Sequence, residues 1–107
     1  MKTYPNILNE FEGVAEMSKT LAVTLSEHKG KRIPDDVNLW VIAAASYAYV
    51  MLRLAVCLAQ HPEWSQELEE ILNKIGVGCP AQKIPLIRFF LHKKGVSIVE
   101  NVPIVTL

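Results

Sequence analysis

The stretch Pro34–His61, PDDVNLWVIAAASYAYVMLRLAVCLAQH, decides how the rest of this chain is read. Proline suits a helix's first turn, and Asp35 and Asp36 favour the positive end of its dipole. Pro62 disfavours helix in the residue before it, so the helix must end near His61. Fourteen uncharged residues run from Leu39 to Leu52 before Arg53 interrupts them. A membrane-spanning helix needs about 20 predominantly apolar residues. An arginine at its centre would cost about 2.5–3.5 kcal/mol on insertion scales. The stretch therefore reads as a core helix, not a membrane span.

At 3.6 residues per turn, Asn38, Ser46, Arg53 and Gln60 share one arc of roughly 80°. Apart from the opening aspartates, everything else on the helix is apolar. An ordinary surface helix keeps a much wider polar face, so this one must be covered on most sides. Opposite the polar arc lie Trp40, Ala44, Tyr47, Met51, Leu54 and Leu58, spaced by fours and threes.

A preceding helix is expected over about Pro5–His28, with Gly30 behind it as C-cap. Its stripe is Ile7, Phe11, Val14, Ser18, Leu21 and Leu25, widened by Leu8, Ala15 and Ala22. Folding back at Lys31–Ile33 aligns the two stripes, with facing residue numbers summing to about 65. Phe11 then meets Leu54, Val14 meets Met51, and Ser18 meets Tyr47. An antiparallel helical hairpin with coiled-coil-like packing is expected over residues 5–61. Arg53 should find a carboxylate from Glu10, Glu12 or Glu16.

A third helix is predicted over 62–75, with Trp64, Leu68, Ile71, Leu72 and Ile75 on one face. Gly76, Gly78 and Pro80 mark a loop. A short helix and an extended tail follow over 84–107, with Gly95 as the stop. Val96–Val99 and Val102–Leu107 are β-branched and apolar, so the tail carries a possible small β-hairpin. The expected fold is all-α: the helical hairpin extended to a four-helix bundle-like domain over residues 1–107.

Composition agrees. At 107 residues, half of them hydrophobic, one domain buries a real core. Eleven basic and eleven acidic residues leave no net field to draw it to nucleic acid or anionic lipid. Cys57 and Cys79 read as free thiols of a cytoplasmic protein. The acidic first turns do not read as a secretory leader.

No residue pattern points to catalysis, metal or cofactor. His28, His61 and His92 each fall at a helix C-terminus, where an imidazolium meets the negative dipole end. None has zinc-ligand spacing, and no nucleophile elbow or phosphate-binding glycine run occurs. Trp40, Tyr47 and Arg53 are residue types that line ligand pockets, but they fall on different faces of the long helix. Lys29, Lys31 and Arg32 form one basic cluster. Arg88, His92, Lys93 and Lys94 form a second, ahead of the possible hairpin, in a winged-helix-like order. Its helix is mostly apolar, whereas base readout wants Arg, Asn or Gln on the exposed face. Nucleic-acid binding is therefore the alternative reading.

The favoured one follows from excess apolar helix surface. Val41, Ala45, Ala48, Leu52, Ala55 and Ala59 form a ridge on one flank of the long helix. Leu39, Ala43, Val50 and Cys57 form the other. The chain has few helices left to cover both. A second copy covers the ridge economically, since two-fold homodimers are the commonest oligomers. The expectation is a non-catalytic protein-interaction domain that forms a homodimer and meets an unidentified protein partner.

Overall fold

The computed structural model describes residues 2–75 and 83–98. Four helices occupy them, with no strand among the described residues: α1 (Pro5–Glu27), α2 (Asp35–Gln60), α3 (Trp64–Ile75) and α4 (Ile84–Lys93). The fold is all-α and bundle-like. Residues 96–98 are not in a strand. The rest of the expected hairpin and the Gly76–Pro80 loop lie outside the described residues.

Local chemistry sets the boundaries. Pro5 stands in the first turn of α1, but Tyr4 offers no side-chain cap. Glu69 of α3 supplies one instead. Its Oε1 accepts from the Asn6 N–H at 2.7 Å and from Asn6 Nδ2 at 2.8 Å, and its Oε2 accepts from the Ile7 N–H at 3.0 Å. Two of the orphan amides of the first turn are thereby satisfied from another helix. α4 stops in a Schellman arrangement. The Val96 N–H reaches the Leu91 carbonyl and the Gly95 N–H reaches that of His92. Gly95 has φ +82°, a conformation that side chains disfavour.

The helices form a ring in the order α1–α2–α4–α3, with α3 closing back on α1. α2 and α3 therefore stand diagonally. The long helices measure roughly 34 and 39 Å, and α3 and α4 only about 18 and 15 Å. The short pair covers the half of the hairpin that holds the start of α1 and the end of α2. There Tyr47, Val50, Met51, Leu54, Leu68, Leu72, Ile87, Phe90 and Leu91 make the core. On α1 only Ile7 and Glu10 are buried. Towards the connection, Val23 and Leu39 are exposed.

The hairpin exists, but Tyr47 does not pack on Ser18 as expected. The Tyr47 hydroxyl lies 3.0 Å from the Glu10 carbonyl and 3.2 Å from Glu10 Oε2. Tyr47 thus reaches Glu10, not Ser18, which lies eight residues or roughly 12 Å further along α1. Ser18, Leu8, Ala15 and Ala22 are all exposed. The inward positions of α1 are instead Ile7, Glu10, Val14, Met17, Leu21 and Thr24, with Phe11 and Leu25 beside them. A carboxylate belongs to this stripe because it finds partners inside the bundle, and those partners outrank matching side-chain sizes.

Candidate functional site

α2, like each helix of the ring, has neighbours on two sides, here α1 and α4. Val50 and Cys57 are buried on the side of Arg53, whose Nη2 donates to the Ser97 carbonyl just beyond α4 at 3.4 Å. α1 holds the other side. Of the ridge read from sequence, Val41 is buried within the chain, and Ala45, Ala48 and Ala55 are half-buried. Leu52 and Ala59 are exposed. On the opposite flank Leu39 and Ala43 are exposed, whereas Val50 and Cys57 are core.

The uncovered apolar surface is turned by roughly 50° from that ridge. Ile42, Leu52, Val56 and Ala59 are exposed on it, while Ala45 and Tyr49 between them are half-buried and Tyr49 packs against the core. Leu52 is 65% exposed, Val56 42% and Ile42 38%. Polar side chains appear at its ends, Asn38 and Gln60, and Arg53 borders one edge. Arg53 has no carboxylate partner among the described residues, and its Nε is buried without a hydrogen bond. None of the glutamates expected for it, Glu10, Glu12 or Glu16, pairs with it, and Glu10 is held by Lys83 and Tyr47.

Glu10 and Lys83 form a second constellation, one that sequence reasoning did not find. Both are essentially inaccessible, at 0% and 1% exposure. Lys83 Nζ stands 3.9 Å from Glu10 Oε1, which has no hydrogen-bond partner. Burial pushes the Glu10 carboxyl above its ordinary pKa, while the Tyr47 hydroxyl and the Lys83 charge oppose that rise. Two groups with no exposed surface cannot meet a substrate, so this pair is structural. The heptad spacing of Glu10 with Ile7, Val14 and Met17 was the available signal.

The basic cluster of α4 is partly engaged. Lys94 pairs with Glu67 of α3 at 2.6 Å and lies over the rings of Trp64 and Phe90, at 5.6 and 5.5 Å from their centroids. The hydrogen bond from Lys94 holds the Glu67 carboxyl below its usual range. Arg88 is half-buried, leaving His92 and Lys93 exposed. Trp64 also stacks on His61 at 4.1 Å and meets Phe90 edge-on at 6.2 Å. These residues tie α2, α3 and α4 together at one end.

At the other end, Thr20, Thr24, Glu27, His28, Asp36, Val37 and Trp40 line an open groove between α1 and α2. Trp40 lies in this groove, apart from Tyr47 in the core, and Arg53 belongs to neither, so the three do not form one pocket. His28 Nδ1 is engaged by the Thr24 carbonyl at 2.8 Å. Among the described residues no cluster of three or more His, Cys, Asp or Glu could hold a metal ion. Cys57 is a buried free thiol. α2 is long and apolar enough, by length and composition alone, to cross a membrane. Comparison with protein-family models, curated proteins and solved structures finds no match.

Proposed function

We propose that this chain is a non-catalytic interaction domain that forms a homodimer through the outer face of α2. The observation that carries the reading is the apolar outer face of the longest helix, where Ile42, Leu52, Val56 and Ala59 are exposed. It is roughly 26 Å long. Contiguous exposed apolar patches of several hundred Å² are uncommon on monomers and mark docking sites. Charged residues are depleted from the centres of interfaces, and here the nearest charge, Arg53, stands at the edge. In this reading the chain works in the cytoplasm, with Cys57 remaining reduced, and needs no cofactor.

The test is light scattering across the micromolar range on the wild type and on Leu52→Arg. A concentration-dependent dimer is expected for the wild type, and a folded monomer for the variant, because a two-fold contact brings two copies of each charge near one another. A wild type that stays monomeric throughout would overturn the reading. No observation favours nucleic acid, since Lys94 is already paired. A gel shift at low salt should show no saturating complex, with or without Arg88, Lys93 and Lys94.

A further inference from the structure

We infer that two lysines, Lys83 on Glu10 and Lys94 on Glu67, set which face of α4 points into the bundle. Apolar side chains alone leave that open. On a wheel at about 100° per residue, Ile84, Leu86, Ile87, Phe89, Phe90 and Leu91 spread over roughly 220°, and Pro85, Arg88 and His92 mark the outer side. Rolling α4 about its own axis by roughly 90° would exchange Ile87 and Leu91 for Leu86 and Phe89, with Phe90 inside in both settings. Lys93 would turn with them, but at the last turn its stem can carry the ammonium to water. Apolar burial is non-directional, so it separates two settings that bury like side chains only weakly. Yet one setting is adopted: Ile87, Phe90 and Leu91 are buried, and Phe89 is 65% exposed.

Lys83 and Lys94 stand at the two ends of the inner stripe, about three turns apart and within roughly 20° of each other around the helix. At the first end, Lys83 Nζ lies 3.9 Å from Glu10 Oε1, with both residues inaccessible. α1 and α4 face each other across the ring, so this pair crosses its middle. At the second end, Lys94 meets Glu67 over the rings of Trp64 and Phe90. A roll would swing both ammonium groups off their carboxylates and leave Glu10 alone in the core. A buried ion pair adds little net stability, but a buried charge without its partner is strongly disfavoured. The pairs therefore discriminate between packings that apolar contacts hold nearly equal. They also fix the outer surface of α4, where Phe89 stands beside His92 and Lys93.

Fluorine NMR on protein labelled with para-fluorophenylalanine tests this, because Phe89 shares the label only with Phe11 and Phe90. A soluble paramagnetic chelate broadens the signals of exposed rings. The wild type should give one Phe89 line, strongly broadened. Glu10→Leu/Lys83→Met replaces the inner pair by apolar side chains, and should keep the cooperative urea transition of the wild type. Its Phe89 signal should gain a second line shielded from the chelate, at about a tenth of the intensity or more, as a competing state close in energy does. That line should grow when Lys94→Gln is added. It should vanish when Leu86→Gln is added, because the rolled packing would then bury an amide. A single exposed Phe89 line, with and without Lys94→Gln, would overturn the inference. Loss of cooperative unfolding in Glu10→Leu/Lys83→Met would overturn it too, since the pair would then supply stability and not orientation.

Discussion

Glu10 loses its whole hydration shell inside the bundle, and Lys83 and Tyr47 replace it incompletely. A buried pair of this kind is weak evidence for net stability, yet removing one member leaves an uncompensated charge that costs about 3–5 kcal/mol. The Glu10 carboxyl titrates above its ordinary value because burial disfavours the charged form. The folded state therefore binds its proton more tightly than the unfolded state does. The stability this group contributes is fully present below the unfolded pKa near 4.3, and is lost as pH rises through the raised folded value. Urea denaturation from pH 4 upward should show that loss in the wild type and a flatter profile in Glu10→Gln. Lys83→Met should be destabilised more at pH 7 than at pH 4, where the carboxyl can sit neutral. A Lys83→Met penalty that does not change with pH would show that Glu10 carries no charge in the fold.

For the elements, Glu69 and α1 offer the cleanest test. α1 has no side-chain cap of its own, so its first turn depends on a carboxylate from α3. Glu69→Ala should cost about 1–2 kcal/mol, the usual worth of an N-cap. Faster amide exchange should be confined to the first turn of α1. Helix boundaries were legible in the sequence because local chemistry writes them: Pro5, Asp35, Pro62 and Gly95 act within a turn of where they stand. The inward face of α2 was legible too, since Ala44, Tyr47, Met51 and Leu54 are all buried. Glu10 on the inward stripe was not legible, because its partners Lys83 and Tyr47 come from distant segments that periodicity on α1 cannot reveal. Nor was the outer face. The outer face depends on where α1 and α4 sit around α2, and with Ala48 and Ala55 half-buried the exposed apolar residues are Ile42, Leu52 and Val56.

Over the whole molecule, cover is uneven. α3 and α4 wrap one half of the long hairpin, and among the described residues the half nearer the α1–α2 connection is formed by those two helices, within overall dimensions of 46 × 26 × 22 Å. Few buried apolar contacts mean low local stability. Hydrogen exchange should accordingly be slowest around Tyr47–Cys57 and faster by orders of magnitude over Met17–Ala43. In the proposed dimer α2 gains protection near Ile42, so there the contrast should shrink as protein concentration rises. A flat exchange profile along α1 would contradict this picture.

The Glu69 cap also bears on the order of folding. It joins groups 63 residues apart in sequence. Helices α1 and α2 are neighbours along the chain and can pair before α3 arrives, whereas the first turn of α1 is secured only once the ring closes. Loop-closure entropy must be met before so distant a contact contributes. In stopped-flow experiments Glu69→Ala should leave the refolding rate nearly unchanged and speed unfolding by roughly 5- to 30-fold, a φ-value near zero. The last bond made as the bundle assembles would then be the first to yield as it opens.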